Sequence, residues 1–402
     1  MKKLILLFLI AFTMVMADFT LAGQTLTPVN EDETTPVTTS SIPTTTRTYT
    51  TTGSAKTNWG FQPFTVPSDS VTVPAGGDIQ AAINSLTTGG TIQLQEGTYT
   101  ASDITFKGKS NIVLQGAGIG KTFIKTETGE GVRAFFSHCG SENTGGSCME
   151  NIIMRDFSIN GQGNHAITFA WGLSNALFEN LDIQNVISGI DINNNNWKFK
   201  GKQLTFRNIH VKDAEFHAIE VRYTRGIILD NIQTENTGTA FDFSRVVYGE
   251  VSNVHGDSQQ RPSAYNGAKV QVCNYIYIHD TSIKNALVDA LKFIRSDKDT
   301  NGLQHIHLEN CTFSNSHTGV IQFGDAAPTF KEIVVKNVKL VDNIHDGKLY
   351  PNIRVFGCEN VHEYDDNVGI VVASKYTIDN RFAHNGTTPE ADGVGYTTWG
   401  NP

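Results

Sequence analysis

From about residue 70 to about residue 370 the chain repeats short segments in which apolar and polar residues alternate, each marked by one Asn or Asp among β-branched neighbours. The marks fall at Asp156, Asn180, Asn208, Asn231, Asn253, Asp280, Asn310 and Asn337, spaced 22 to 30 residues apart. Five residues later a second polar position recurs as Asn185, Asp213, Asn236, Asn285, Asn315 and Asp342. Alternation with period two is the signature of strands, and segments rich in Ile, Val and Phe at this spacing exclude helical repeats. Asn and Asp tolerate the left-handed backbone of a tight corner, and their side chains can hydrogen-bond from one repeat to the next. The pattern therefore predicts an all-β solenoid, a single-stranded parallel β-helix, in which these polar residues are structural.

A second strand follows in every repeat: HAITFA, SGIDIN, HAIEVR, TAFDFS, GAKVQV, DALKFI, GVIQFG and PNIRVF. Side chains alternate across a strand, so the apolar residues fill the coil and the intervening ones face outward. Stacking places Thr168, Asp191, Glu220, Asp242, Lys269, Lys292, Gln322 and Arg354 in one external column about 4.8 Å apart. A neighbouring column holds Asn193, Arg222, Ser244, Gln271 and, with a one-residue offset, Arg295. At the other end of the pattern, Asp78 is placed to cap a short amphipathic helix through Leu86, and Gly89-Gly90 to end it. A solenoid must cover its open end, which a short N-terminal capping helix would do.

The 402-residue chain has other segments that do not fit the repeat. Residues 1–22 open with Lys2-Lys3, continue in an apolar run to Met16 and offer Ala17 or Ala22 as a small-residue cleavage site. Such a run is shorter than the ~20 residues a bilayer needs, so it reads as a secretory signal rather than an anchor. Residues 23–60 are rich in Thr, Pro and Ser and predict a linker without a core. Residues 61–402 then form one β-helix domain, expected to be secreted, monomeric and without membrane contact. The 31 Lys and Arg against 40 Asp and Glu leave a net charge of −9, which argues against nucleic acid as a partner. Of the five cysteines, Cys139 and Cys148 bracket the loop CGSENTGGSC and suit a disulfide, while Cys273, Cys311 and Cys358 read as small buried hydrophobes.

The segments IQAAINSLTTGGTIQLQEGTYT and NIVLQGAGIGKTFI, followed by the Asn-marked coils, resemble the right-handed parallel β-helix proteins of the pectin-lyase-like superfamily. That likeness implies the handedness of the coil and a carbohydrate substrate. The WIDH-type motif of pectate lyases, the NTD-then-DD aspartate motif of polygalacturonases and the YGFDPH-type motif of mannuronan epimerases are absent from the sequence. A groove carrying Lys, Arg and Tyr is similar to that of the alginate and chondroitin lyases of the same fold.

β-Elimination on a uronate needs cations on the carboxylate, a base for the C5 proton and an acid for the leaving oxygen. Lys269 or Lys292 would be the base if neighbouring cations lower its pKa, Arg295, Arg222 or Arg245 the carboxylate clamp, and Tyr223 the acid, with Tyr248 second. Insertions beside the column add Trp197, Tyr265 and Tyr350, and Arg354 extends its basic end. The expectation is a lyase on an acidic polysaccharide, alginate before pectate or a glycosaminoglycan. The acidic column leaves two alternatives open. Asp191, Glu220 and Asp242 bracket the carboxyl separations of glycoside hydrolases, or can bind one Ca²⁺, so the cofactor is either none or Ca²⁺. A third reading is a solenoid that binds glycan without cleaving it. His165 and His217 share one strand-entry position, where a hydrogen-bonded structural histidine is favoured over a catalytic one.

Overall fold

In the computed structural model, described residues are 64, 67–129, 131–139, 149–194, 201–258, 266–294, 304–316, 338 and the strand segments between 321 and 399. Residues 1–60, Cys148, Trp197, Tyr265, Arg295 and Tyr350 lie outside them. The architecture is the β-helix expected from the repeats: successive coils pair in parallel, from Ser70 to Ala373, with each strand hydrogen-bonded to its equivalent one coil on. One helix, Ile79–Ser85, sits at the N-terminal end, and the Asp78 carboxylate accepts a hydrogen bond from the Ala81 N–H. Ile79, Ala82 and Ile83 of that helix are buried, so it covers core rather than decorating it. No described helix is long and apolar enough to cross a membrane.

Among the described residues the coil interior is a continuous core of Ile, Leu, Val and Phe drawn from one coil after another. Aromatic rings line up through it from coil to coil. Phe106 meets Phe135 and Phe169, Phe169 meets Phe178, and Phe178 stacks on Phe206 with centroids 5.1 Å apart and planes 9° apart. Cys273 and Cys311 are free and buried in this core, and burial pushes both thiols up to about 12, which leaves them unreactive. Cys139 is disulfide-bonded.

The corners carry the polar marks. Asp156, Asn180, Asn208, Asn231, Asn253, Asp280 and Asn310 all have φ between 49° and 65°, where most side chains are strained and Asn or Asp is tolerated. Asn180 Nδ2 donates to Asp156, Asn208 to Asn180 and Asn231 to Asn208, at 2.9, 3.0 and 2.9 Å. Asn253 departs from the ladder and donates to Asp230 instead. The second series behaves alike, Asn236 donating to Asp213 and Asn315 to Asn285. A third ladder, not anticipated from sequence, joins Asn175 to Asn151 and Asn151 to Asn111.

These bonds set a test. Asn208→Ala removes one rung above and one below and leaves a β-carbon at φ 52°, so a loss of about 2–4 kcal/mol is expected in urea unfolding. Asn208→Gly keeps the backbone free and should lose less. Equal losses in the two variants would show that the left-handed corner contributes nothing.

Candidate active site

The outward column follows from the pleat. Thr168 pairs with Asp191, Asp191 with Glu220, Glu220 with Asp242, Asp242 with Lys269, Lys269 with Lys292, Lys292 with Gln322 and Gln322 with Arg354. The neighbouring column runs Ala170, Asn193, Arg222, Ser244, Gln271 and then Ile294. The one-residue offset proposed for Arg295 thus falls on Ile294 in register. On the other side, His217 pairs with Thr239 and Asn266 with Asp289.

Side-chain contacts divide the column differently from its charges. Glu220 is 5% exposed and is gripped by Arg222 through both Nε and Nη2, with His217 Nε2 at 3.8 Å. Asp242 is equally buried, and Lys269 Nζ lies 3.0 Å from its Oδ2. Lys292 Nζ is 3.8 Å from Asp289 Oδ2, three residues earlier on its own strand. The two lysines do sit on adjacent coils. Each faces a carboxylate, however, so the pair does not stand as two cations set only against each other.

Asp191 is the perturbed group. Burial pushes its carboxyl up to about 7, Glu220 and Asp242 push in the same direction, and Arg222 and Arg133 offset part of the rise. Its Oδ1 is buried with no hydrogen-bond partner among the described residues. A carboxyl that titrates near neutrality in a column of carboxylates is suited to proton transfer. His165, one coil toward the N-terminus, is lowered by burial, by Arg133 and by His217.

Beside the carboxylates lies a recess of about 220 Å³ lined by Arg222, Tyr223, Asp242, Ser244, Arg245, Lys269 and Gln271. Arg245 Nη1 donates to the Tyr223 hydroxyl at 3.1 Å, and its guanidinium lies 5.0 Å from that ring. Both residues have positive φ, 56° for Tyr223 and 57° for Arg245, so the corner throws their side chains beside the groove at a cost in backbone strain. Five residues expected at the site from sequence, Arg222, Tyr223, Asp242, Arg245 and Lys269, meet here.

Others do not. Tyr248 stands on a different corner, stacked on Tyr275 at 5.0 Å with Arg225 over its ring, and lines no part of the recess. The strand bearing it begins at Val247, after the chain has left the groove. Arg354 lies three pairings beyond Lys269 in the column, distant from the recess by about 14 Å of stacking. For a metal ion, the groups that converge are His217, Glu220 and Asp242, whose ligand atoms lie within 4.8 Å of one another, rather than the expected set with Asp191. Arg222 and Lys269 already supply cations to two of the three. That fit is poor for Ca²⁺, which takes six to eight oxygens. Trp171 is not singled out by the sequence pattern, although it occupies the same corner as Tyr223 and Arg245, as their equivalent backbone hydrogen bonds show.

No protein-family model matches this chain, and none of the curated proteins matches it. Solved structures do. A hyperthermoactive exopolygalacturonase from Thermotoga maritima aligns over 79% of this chain and 90% of its own, with 13% identity and a TM-score of 0.54. The catalytic domain of a GH87 α-1,3-glucanase, in complex with tetrasaccharides, covers 84% of this chain and 68% of its own at 14% identity and TM-score 0.52. ORF18 of Geobacillus virus E2 is 17% identical with a TM-score of 0.49, and the chain spans 61% of that protein. The likeness at these identities is one of fold, a parallel β-solenoid.

Proposed function

We propose that the protein is a secreted glycoside hydrolase acting on an acidic polysaccharide, with Asp191 as general acid and Asp242 as general base. The observation that carries this reading is the Asp191 carboxyl, raised to about 7 and stacked on Glu220, with Asp242 one coil further. Hydrolysis of a glycosidic bond needs one carboxyl that holds its proton and a second that activates water. Asp191 meets the first requirement at neutral pH. Asp242, two coils on and so about 9.6 Å away by stacking, leaves room for a water, at the upper end of the separation used by inverting enzymes. Glu220, gripped by Arg222, lies between them and holds the electrostatics of the pair.

The recess supports an acidic substrate, because three cations, Arg222, Arg245 and Lys269, line it against the one carboxylate of Asp242. The exopolygalacturonase and the α-1,3-glucanase, both carbohydrate-active by name, are consistent with a glycan in this groove. Secretion is supported by the leader-like residues 1–22.

One observation favours a second reading. Tyr223, hydrogen-bonded to Arg245 inside the cationic recess, is placed as a β-elimination acid or base would be. Incubation with alginate, polygalacturonate and chondroitin separates the two. New reducing ends without ultraviolet absorbance, formed with inversion at the anomeric carbon, are expected. Accumulation of 4,5-unsaturated products, lost in Tyr223→Phe and retained in Asp191→Asn, would replace the hydrolase with a lyase.

A further inference from the structure

The groove has a second end that the proton-transfer groups do not use. One and two coils N-terminal to Asp191, the outward positions change from charged to aromatic and uncharged. Phe136 pairs with Thr168 and His138 with Ala170, and Thr168 in turn pairs with Asp191. Trp171 follows at the corner. Its φ is 64°, a conformation that a bulky side chain adopts rarely, and it is half-buried beside Ala170. The His138 ring lies 4.3 Å from the indole, and Phe136 lies 6.4 Å from His138 with the Arg133 guanidinium over its face at 4.4 Å. The small Ala170 and the buried Thr168 leave the strip low next to the indole.

From these juxtapositions the structure assigns a second binding site. The Trp171 indole, backed on one side by His138 and, beyond it, Phe136, forms a platform and subsite that stacks the apolar face of a pyranose ring from the same polysaccharide. An indole offers a π-face to the C–H groups on one side of a sugar, while Arg133, over the face of Phe136, holds the far end of the ring cluster in place. Strain at Trp171 is consistent with a ligand role, since backbone in sparsely populated regions concentrates at binding sites. Charge complementarity fixes polarity along the coil axis. A glycan lying in the groove would place an uncharged ring face on Trp171, its scissile bond over Asp191 to Asp242, and a carboxylate in the recess of Arg222, Arg245 and Lys269. This inference rests on the hydrolase reading for its substrate, but not for its measurement.

Binding is measured by calorimetry with Asp191→Asn protein, so that no turnover intervenes, using oligogalacturonate and oligoalginate ladders. Adding Trp171→Ala should weaken binding of the longest oligosaccharides by about tenfold or more, with the loss shrinking as the chain shortens. Trp171→Phe should restore most of the affinity, which guards against an effect of misfolding. Losses equal at every length, or no loss at any, would overturn the platform. If wild-type protein cleaves no glycan while long oligosaccharides still bind in a Trp171-dependent way, the hydrolase reading falls and the platform stands. If cleavage proceeds in Trp171→Ala with an unaltered KM at every length, the platform falls and the hydrolase stands.

Discussion

Asp191→Asn is expected to lower kcat by about a thousandfold and, at the same time, to make the protein more stable above neutral pH. The kinetic part follows from removing the group that donates a proton, an effect of about two to four orders of magnitude in enzymes. In the wild type, kcat should fall as pH rises through about 7, because the acid form is lost there. The stability part follows from linkage. The folded-state pKa, about 7, lies above the unfolded value of about 4, so between those limits the folded protein keeps a proton that the unfolded chain has released. Stability therefore declines as pH rises through this window, and the full penalty, about 2–4 kcal/mol, is present above it. The amide that replaces the carboxyl does not ionise, so the burial that penalises the charged form no longer acts. Melting curves at pH 5 and pH 8 should converge for the variant and separate for the wild type. A variant that is less stable than wild type at pH 8 would mean that Asp191 is paired as an anion, and the acid assignment would be lost with it.

Phe206→Ala should produce the largest loss of stability of any variant considered, about 3–5 kcal/mol. Phe206 is fully buried and stacks on Phe178, which meets Phe169 in turn, so truncation opens a void on a column of rings that cannot close in from one side. The stacked pair itself adds about 1 kcal/mol beyond the buried area. Phe206→Leu, which fills most of the volume, should cost much less. The midpoint of urea unfolding checks both, and a loss below about 1 kcal/mol for the alanine variant would show that neighbouring coils collapse into the space. KM is not expected to change, since the ring points into the core rather than the groove.

The external column is legible in the sequence because a pleat admits only two faces. Once the apolar positions of HAIEVR and TAFDFS are turned inward, Glu220 and Asp242 have no other place to go. The corner ladder is legible for a similar reason: left-handed backbone selects Asn and Asp, and the recurrence shows in the letters. The third ladder is not, since its column continues through Gln203, Gly226, Tyr248 and Tyr275, and of these only Gly226 announces a positive φ. Aromatic residues at left-handed corners carry no such mark, so the letters alone put Tyr248 in the groove and pass over Trp171. Side-chain pairing is also out of reach. Lys292 turns back to Asp289 on its own strand while Lys269 crosses to Asp242 on the coil before, and only geometry decides between these partners. The raised carboxyl of Asp191 depends on how much water its neighbours exclude, which no spacing of residues encodes.

The order of the stack is the order of the chain. Every described coil pairs with the one made just before it, from the helix at Ile79–Ser85 onward. Its contacts thus span one repeat rather than the length of the protein, so folding can begin at the capped end and advance one coil at a time during synthesis. Asp191, Glu220 and Asp242 would then be brought together successively by this advance, and the catalytic groove would be complete well before the last coil has been laid down.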